Sequence, residues 1–356
     1  MKKRVCVIFG GESSEYEVSL VSATAIIKNL DKEKYEPVFL GITRDGKWYF
    51  YEGDTESIIS GEWVNGKITP AVVSPSKNGG KGELLLSDGR RIGFDVVFPA
   101  VHGQNCEDGK LQAVFELMGV PCVGSGCAAS AVCMDKSLTK KVLRSEGIPQ
   151  ADAIFVEEYE LENGGIGRIR NFAEEKKYPV FVKPACAGSS VGASKVSCES
   201  ELLPAVRKAM DVGGKILVET YIKGREIEVA VTGNEDLEVS VCGEINPGFD
   251  FYDYDTKYKN DTASYFIPAR LSAKTSGIVR EYAEKIFRSL GCRGYARVDF
   301  FVTDNETVFF NEINTLPGFT PISMYPKLMM NAGYSFGDVV NTLIGLAEKN
   351  VNNISK

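Results

Sequence analysis

The stretch Arg297-Val298-Asp299 and the later Asn311-Glu312-Ile313-Asn314 place charges inside otherwise apolar, strand-like runs. Residues two apart on a strand share a face, so Arg297 pairs with Asp299 on one side, and Glu312 with Asn314. Folded back around a turn at Asp304-Asn305, the two strands would gather Asp299, Glu312 and Asn314. Three oxygen ligands on rigid strands suit Mg²⁺, which usually completes its shell with phosphate oxygens and water. The bland alternative is a solvated face of an antiparallel sheet. It leaves unexplained why these charges lead straight into Thr315-Leu316-Pro317-Gly318-Phe319.

Four other constellations carry chemistry. GGESSEYEVS, from Gly10, joins a buried strand to a helix, where backbone N–H groups attract anions and Glu15 in the first turn suits the macrodipole. It lacks the third glycine of a dinucleotide fingerprint, and an ordinary turn with Ser13 or Ser14 as helix cap explains it equally well. VHGQNCEDGKLQ, from Val101, puts the only histidine, His102, and two adjacent carboxylates at a strand end, where open α/β sheets hold ligands. Taken alone it reads as a loop with a hydrogen-bonded histidine. Lys136, and Lys183 in VFVKPACAGSSVG, offer cations beside a small-residue loop that can fold over phosphates, although the Walker pattern is absent. FYDYDTKY, from Phe251, mixes rings, acids and a lysine as a lid would, or as a self-packed surface loop would.

These residues need elements to hold them. Arg4–Phe9, Pro37–Thr43 and Asp95–Val101 read as buried strands alternating with a helix from Glu15, a doubly wound parallel arrangement. Residues 52–92, rich in Gly, Ser and Lys, read as hairpins and surface loops. A second unit contains helices Asp135–Glu146 and Glu199–Met210 around the strand Tyr178–Pro184. From Lys215 the chain turns to strands (KILVE, EIEVAV, LEVSVCG), then the helix Ser272–Leu290 and the strands Tyr295–Val302 and Thr307–Ile313. The expectation is three units of mixed α/β and α+β class, with no repeat of solenoid period.

Composition bounds the partners. The 356 residues are 44% hydrophobic and 25% charged, with a formal charge of −7 and no basic block, which argues against a nucleic-acid surface. The apolar run after Met1-Lys2-Lys3-Arg4 is too short for a signal peptide, and no segment has the length of a membrane span. Nine cysteines without a CxxC pair argue against a disulfide framework or zinc site and for the reducing cytoplasm.

The order of the motifs is more specific than any one of them. IFGGESSEYEVS, VHGQNCEDG, MDK, VKPACAGSSVG, LVETYIKGREIEV, FYDYDTKY, RVDFF and NEINTLPGFT together resemble the D-alanine–D-alanine ligase family of ATP-grasp enzymes over essentially the whole chain. GITRDGKWYFY, SAVCMDK and NTLPGFT also resemble its VanG-type, D-alanine–D-serine branch. The resemblance implies a three-domain ATP-grasp ligase: a Rossmann-like N-terminal domain over 1–124, a central domain over 125–214 and a C-terminal domain over 215–356. Lys136, Lys183, Ser190, Glu219, Ile222 and Glu226 would surround ATP, with Glu219 at the adenine amino group, Glu226 at the ribose and Lys257 at the transferred phosphate. Asp299, Glu312 and Asn314 would hold two Mg²⁺, with Mn²⁺ as a substitute. Glu15, linked to Ser189 and Tyr258, would bind the ammonium of the first D-alanine, and His102 would sit near its carboxyl group. Arg297 and the Gly318 N–H would form the oxyanion site, while Ser323 and Met324 line the second amino-acid pocket. A homodimer in the cytoplasm is implied, with D-alanine and ATP as its small-molecule partners.

There are departures. Cys106 and Ala113 stand where glycine is usual, and a positive φ at Cys106 would cost roughly 1 kcal/mol. Pro321 and Ile322 replace a polar pair. The Lys257-Tyr258 pair goes with amino-acid acceptors rather than D-lactate. The reading is therefore ATP-dependent joining of two D-alanines for peptidoglycan precursors. D-serine as acceptor is the alternative within the family, and a catalytically silent ATP-binding regulator the alternative outside it.

Overall fold

The computed structural model describes residues 2–188, 190–246 and 264–354. Its first sheet is built on β1 (Lys3–Gly10), flanked in parallel by β2 (Tyr35–Ile42) and later by β7 (Val96–Pro99). Four further strands extend it antiparallel: β3 (Trp48–Tyr51), β4 (Ile68–Val73), β5 (Gly82–Leu86) and β6 (Arg91–Phe94), giving the order β6-β5-β4-β3-β2-β1-β7. Residues 52–92 were expected to be hairpins and surface loops. The hairpins are present, and their strands join the main sheet because Ala71, Leu84, Leu86 and Phe94 alternate inward and bury one face. The helix Tyr16–Lys28 packs on the opposite face.

A second, antiparallel sheet comprises β8 (Ala153–Glu157), β9 (Val180–Pro184), β10 (Ser194–Val196) and β11 (Lys215–Thr220), in the order β10-β9-β11-β8. Helices Ile166–Lys176 and Glu199–Met210 cover it. β11 was expected to open the third unit. It pairs with β8 and β9 instead, so the sheet changes after residue 220 rather than at 214. The cause is apolar: Ile216 and Val218 point into the same core as Val180 and Val182.

The third sheet is formed by β12 (Arg225–Gly233), with β13 (Leu237–Val239) at its side, β14 (Gly243–Asn246), β15 (Ser264–Phe266), β16 (Gly294–Val302) and β17 (Val308–Asn314). Its order is β15-β14-β12-β16-β17. The helix Ala273–Ser289, capped by Ser272, buries Val279, Ile286 and Phe287 against it. Cys127–Met134, a helix the sequence reading passed over, and Lys136–Ser145 share that core through Ala129, Cys133 and Leu143. The last two helices, Met324–Asn331 and Phe336–Ile354, instead join the first sheet's core, where Phe98, Tyr295, Phe319 and Tyr325 form a chain of edge-to-face and tilted rings. That shared core ties the first and third sheets together. No helix among the described residues is long and apolar enough to cross a membrane.

Candidate active site

The junction after β1 is sterically fixed. Gly10 has φ +88°, and a Cβ there would stand 2.0 Å from the Ile42 carbonyl oxygen. Ser19 Oγ accepts from the Gly10 N–H at 2.8 Å and donates to the Ala100 carbonyl, tying the helix to two strand ends. The helix is not capped by a serine side chain; Glu15 occupies the N-cap position, and Ser13 Oγ accepts from its N–H at 3.1 Å. This sets Glu15 at the mouth of a small cavity of about 110 Å³, lined also by His102, Gly188, Arg297, Asn314, Gly318, Ser323 and Met324.

His102 is buried in that cavity's wall. Its Nδ1 lies 3.1 Å from the Leu316 carbonyl and 3.8 Å from Glu107 Oε1, and its Nε2 is 3.4 Å from Ser22 Oγ. Burial works against its charge, but Glu107, Glu15 and the Leu316 carbonyl together outweigh it and raise the pKa. Glu107 is itself raised by burial. In this loop the left-handed non-glycine residue is Asn105, at φ +65°, a residue that tolerates that region. Cys106 is not left-handed, so the strain foreseen there does not arise; its side chain is buried in the first sheet's core. Ala113 sits inside the helix Lys110–Met118, where a Cβ is at home.

The third sheet supplies the charges. Glu228 on β12, Asp299 on β16 and Glu312 on β17 lie directly opposite one another across adjacent strands. Arg297 grips Asp299 through Nε to Oδ1 at 2.8 Å and Nη2 to Oδ2 at 2.7 Å, with Glu228 Oε2 3.1 Å from Nε. Burial opposes the Arg297 charge, but Asp299 and Glu228 outweigh it and push the pKa further up. Asn314 Nδ2 donates to Asp299 Oδ2 at 3.0 Å, so the expected trio of Asp299, Glu312 and Asn314 does converge.

A larger cavity of about 440 Å³ adjoins, and Glu228, Ile245 and Glu312 line both spaces. Its walls come from the second and third sheets and from the helix Lys136–Ser145, and include Lys136, Lys183, Ser190, Glu219, Ile222 and Glu226. Asp135 caps that helix by accepting from Ser137 N at 2.8 Å and Leu138 N at 3.2 Å, and Lys215 holds Asp135 at 2.8 Å. The first helical residue, Lys136, then reaches the Ala187 carbonyl at 2.8 Å and Glu312 Oε2 at 3.3 Å. Lys183 on β9 and Glu219 on β11 are diagonal neighbours on one face, with Nζ 2.6 Å from Oε1. Burial alone would raise the Glu219 carboxyl, but the ammonium groups of Lys183 and Lys140 bring it down to about 2.

Ser189, Lys257 and Tyr258 lie outside the described residues. The remaining expected residues divide between the two cavities. Sequence reasoning missed Lys140, whose spacing of one helical turn from Lys136 was the available signal. It also passed over Glu228, although EIEVAV places acids at a two-residue period on a buried strand.

The residues present fit a magnesium nucleotide. Lysines including Lys136 and Lys183 line the larger cavity, and the donor set beside it is two carboxylates and a carboxamide, the hard-oxygen chemistry Mg²⁺ takes with phosphate. Among the described residues no three His, Cys, Asp or Glu side chains are grouped so as to hold a metal ion by themselves.

Comparison with known proteins decides the kinship. Residues 4–125 match the family model described as D-ala D-ala ligase N-terminus, and residues 142–345 match D-ala D-ala ligase C-terminus. The chain belongs to the D-alanine–D-alanine ligase family. Within it, the chain is 45% identical to the D-alanine--D-alanine ligase of Acetivibrio thermocellus, over 99% of this chain and 97% of that protein. It is 46% identical to that of Caldicellulosiruptor bescii, over 98% and 96%. Among solved structures, VanG D-Ala:D-Ser ligase from Enterococcus faecalis superposes with a TM-score of 0.89 at 39% identity, covering 98% of this chain and all (100%) of that one. The D-alanine-D-alanine ligase from Coxiella burnetii gives 0.86 at 34%, covering 99% and 97%. The family is one of ATP- and magnesium-dependent ligases acting on small molecules, and the three-sheet architecture is its fold.

Proposed function

We propose that this protein joins two D-alanines to D-alanyl-D-alanine at the expense of ATP, through an acyl phosphate, to supply peptidoglycan precursors. The observation that carries the reading is the pair of adjoining cavities sharing Glu228 and Glu312: one is large and lined by lysines and acids, and the other is small and rimmed by Glu15, Arg297 and Gly318. Full-length identity near 45% to D-alanine--D-alanine ligases supports the same substrates.

A carboxylate is a poor electrophile, so the first D-alanine must be phosphorylated before an amine can displace its oxygen. In this reading Lys136 and Lys183 neutralise phosphate charge, Ser190 and Ile222 line the nucleotide, Glu219 accepts from the adenine amino group and Glu226 from the ribose hydroxyls. Lys257 reaches the transferred phosphate. Asp299, Glu312 and Asn314 would hold Mg²⁺, two ions with Mn²⁺ as a substitute, and the metal would supply Lewis-acid charge for phosphoryl transfer. Glu15, assisted by Ser189 and Tyr258, holds the first ammonium group, and His102 orients the first substrate's carboxyl. Arg297 and the Gly318 N–H meet the tetrahedral oxyanion formed when the second amine attacks. Ser323 and Met324 shape the acceptor pocket. The active form is a homodimer in the cytoplasm, with chain divisions near residue 124 and after β11.

A D-serine acceptor is the second reading, favoured by the likeness to the VanG ligase and by the hydroxyls of Ser323 and Thr320, 2.7 Å apart beside the small cavity. One hydroxyl distinguishes the two substrates, and such a difference is carried by pocket detail rather than by a motif. Phosphate release from Mg·ATP with D-alanine alone and with added D-serine, with dipeptides resolved by mass, tests both.

A further inference from the structure

Lys140 has no part in the roles above, yet its side chain is only 2% exposed. It follows Lys136 by one turn of the helix, and its Nζ lies 3.0 Å from Glu219 Oε2 and 3.4 Å from the Ala151 carbonyl. A buried ammonium is costly unless paired, and methionine would fill the same space without that cost. The position therefore calls for the charge itself, and the charge acts on Glu219.

Glu219 is held from two sides. Lys183 takes Oε1 at 2.6 Å, but it also lies 3.4 Å from Asn311 Oδ1, and in the nucleotide reading it is shared with phosphate charge. Lys140 is walled in by its own helix and by Ala151, so it stays with Glu219 whatever Lys183 does. Each carboxylate oxygen accepts about two hydrogen bonds. Each oxygen of Glu219 therefore keeps capacity for a donor from the cavity.

We propose that Lys140 is a positioning residue that holds Glu219 as an acceptor-only anion, so that the nucleotide cavity admits a 6-aminopurine and rejects a 6-oxopurine. The inference rests on the nucleotide reading given above. A 6-amino group donates to the carboxylate, whereas a 6-oxo group sets oxygen against oxygen and leaves a buried acceptor unpaired, the kind of mismatch sites reject most strongly. Without the Lys140 charge, Glu219 takes up a proton more readily and its new O–H can donate to the 6-oxo group.

The test compares ATP with inosine triphosphate as substrates of the full-length enzyme, its Lys140→Met variant and the more polar Lys140→Gln, each checked for cooperative thermal unfolding. The proposal expects KM for ATP to rise about tenfold with kcat changed by less than about threefold, and the ATP preference in kcat/KM to fall at least about tenfold. In a double-mutant cycle, Glu219→Gln combined with Lys140→Met should be no worse than Glu219→Gln alone, because one residue acts through the other. An unchanged ATP preference in a folded Lys140 variant, or losses that multiply in the double mutant, overturns the proposal. Should the unmodified protein release no phosphate from ATP, the ligase reading fails by itself. Calorimetric binding of ATP against inosine triphosphate, to the same proteins, then decides the Lys140 inference with the same expected order.

Discussion

Arg297 and Asp299, two residues apart on β16, are joined by a bidentate pair of 2.8 and 2.7 Å, with Glu228 on the neighbouring strand 3.1 Å from the same guanidinium. One guanidinium therefore lies between two acids on adjacent strands, hydrogen-bonded to Asp299 and ion-paired with Glu228. Arg297→Met removes that guanidinium from between them, and breaking such a buried pair typically costs about 3–5 kcal/mol. We expect a lower thermal midpoint together with a loss of about 10²–10³ in kcat, the usual cost of a missing oxyanion donor, which is the role proposed for Arg297. Arg297→Lys keeps the charge but not the fork, so it should recover stability more than rate. Calorimetry and steady-state kinetics on the two variants separate the effects.

Glu219 gives a pH prediction. Its carboxyl is lowered from an ordinary value of 4.5 to about 2 by Lys183 and Lys140, acting against burial. A group depressed in the folded state adds stability above its unfolded pKa and loses it as pH falls through the folded one. Its contribution is thus complete above about pH 4.5 and fades toward about pH 2. Glu219→Gln should flatten the fall in unfolding free energy across that window, measured by urea titration at successive pH values. An undiminished slope in the variant would place the acid sensitivity elsewhere.

Gly318 predicts a local steric effect. A Cβ there would stand 2.8 Å from Ser323 Oγ, which accepts from the Thr320 N–H at 3.0 Å. Gly318→Ala should displace Ser323 and cost about tenfold or more in kcat/KM with respect to the acceptor amino acid, with little change in thermal midpoint. Kinetics at varied acceptor concentration check it.

Cys106 predicts the reverse of what its place in the motif suggests. Its backbone is not left-handed and its side chain is 3% exposed in a core with Leu111 and Phe115. Restoring glycine removes buried apolar surface and adds freedom to the unfolded chain, so Cys106→Gly should destabilise by about 1–3 kcal/mol. Denaturant unfolding measures it, and a stabilised variant would contradict the packing argument.

The charged strands β16 and β17 were legible because charges in apolar strands are conspicuous, and the two-residue period with a turn between them brings Asp299, Glu312 and Asn314 together. The helix starts near Asp135 and Ser272 were also legible, and in the structure those two residues are the N-caps. What escaped was long-range. Strand β11 reads as apolar wherever it goes, and only pairing with β8 and β9 assigns it to the second sheet. The helix Cys127–Met134 is built of small and apolar residues without a polar face, so it shows no amphipathic period. Lys140 looks like a surface lysine on a charged helix until the fold buries it against Glu219.

The most direct test of the central claim is the product formed from Mg·ATP and D-alanine by the purified protein. The account predicts ADP and phosphate in step with D-alanyl-D-alanine, loss of both on chelation, and recovery on adding Mg²⁺. Phosphate release without any dipeptide, or no release with either D-alanine or D-serine, would contradict it.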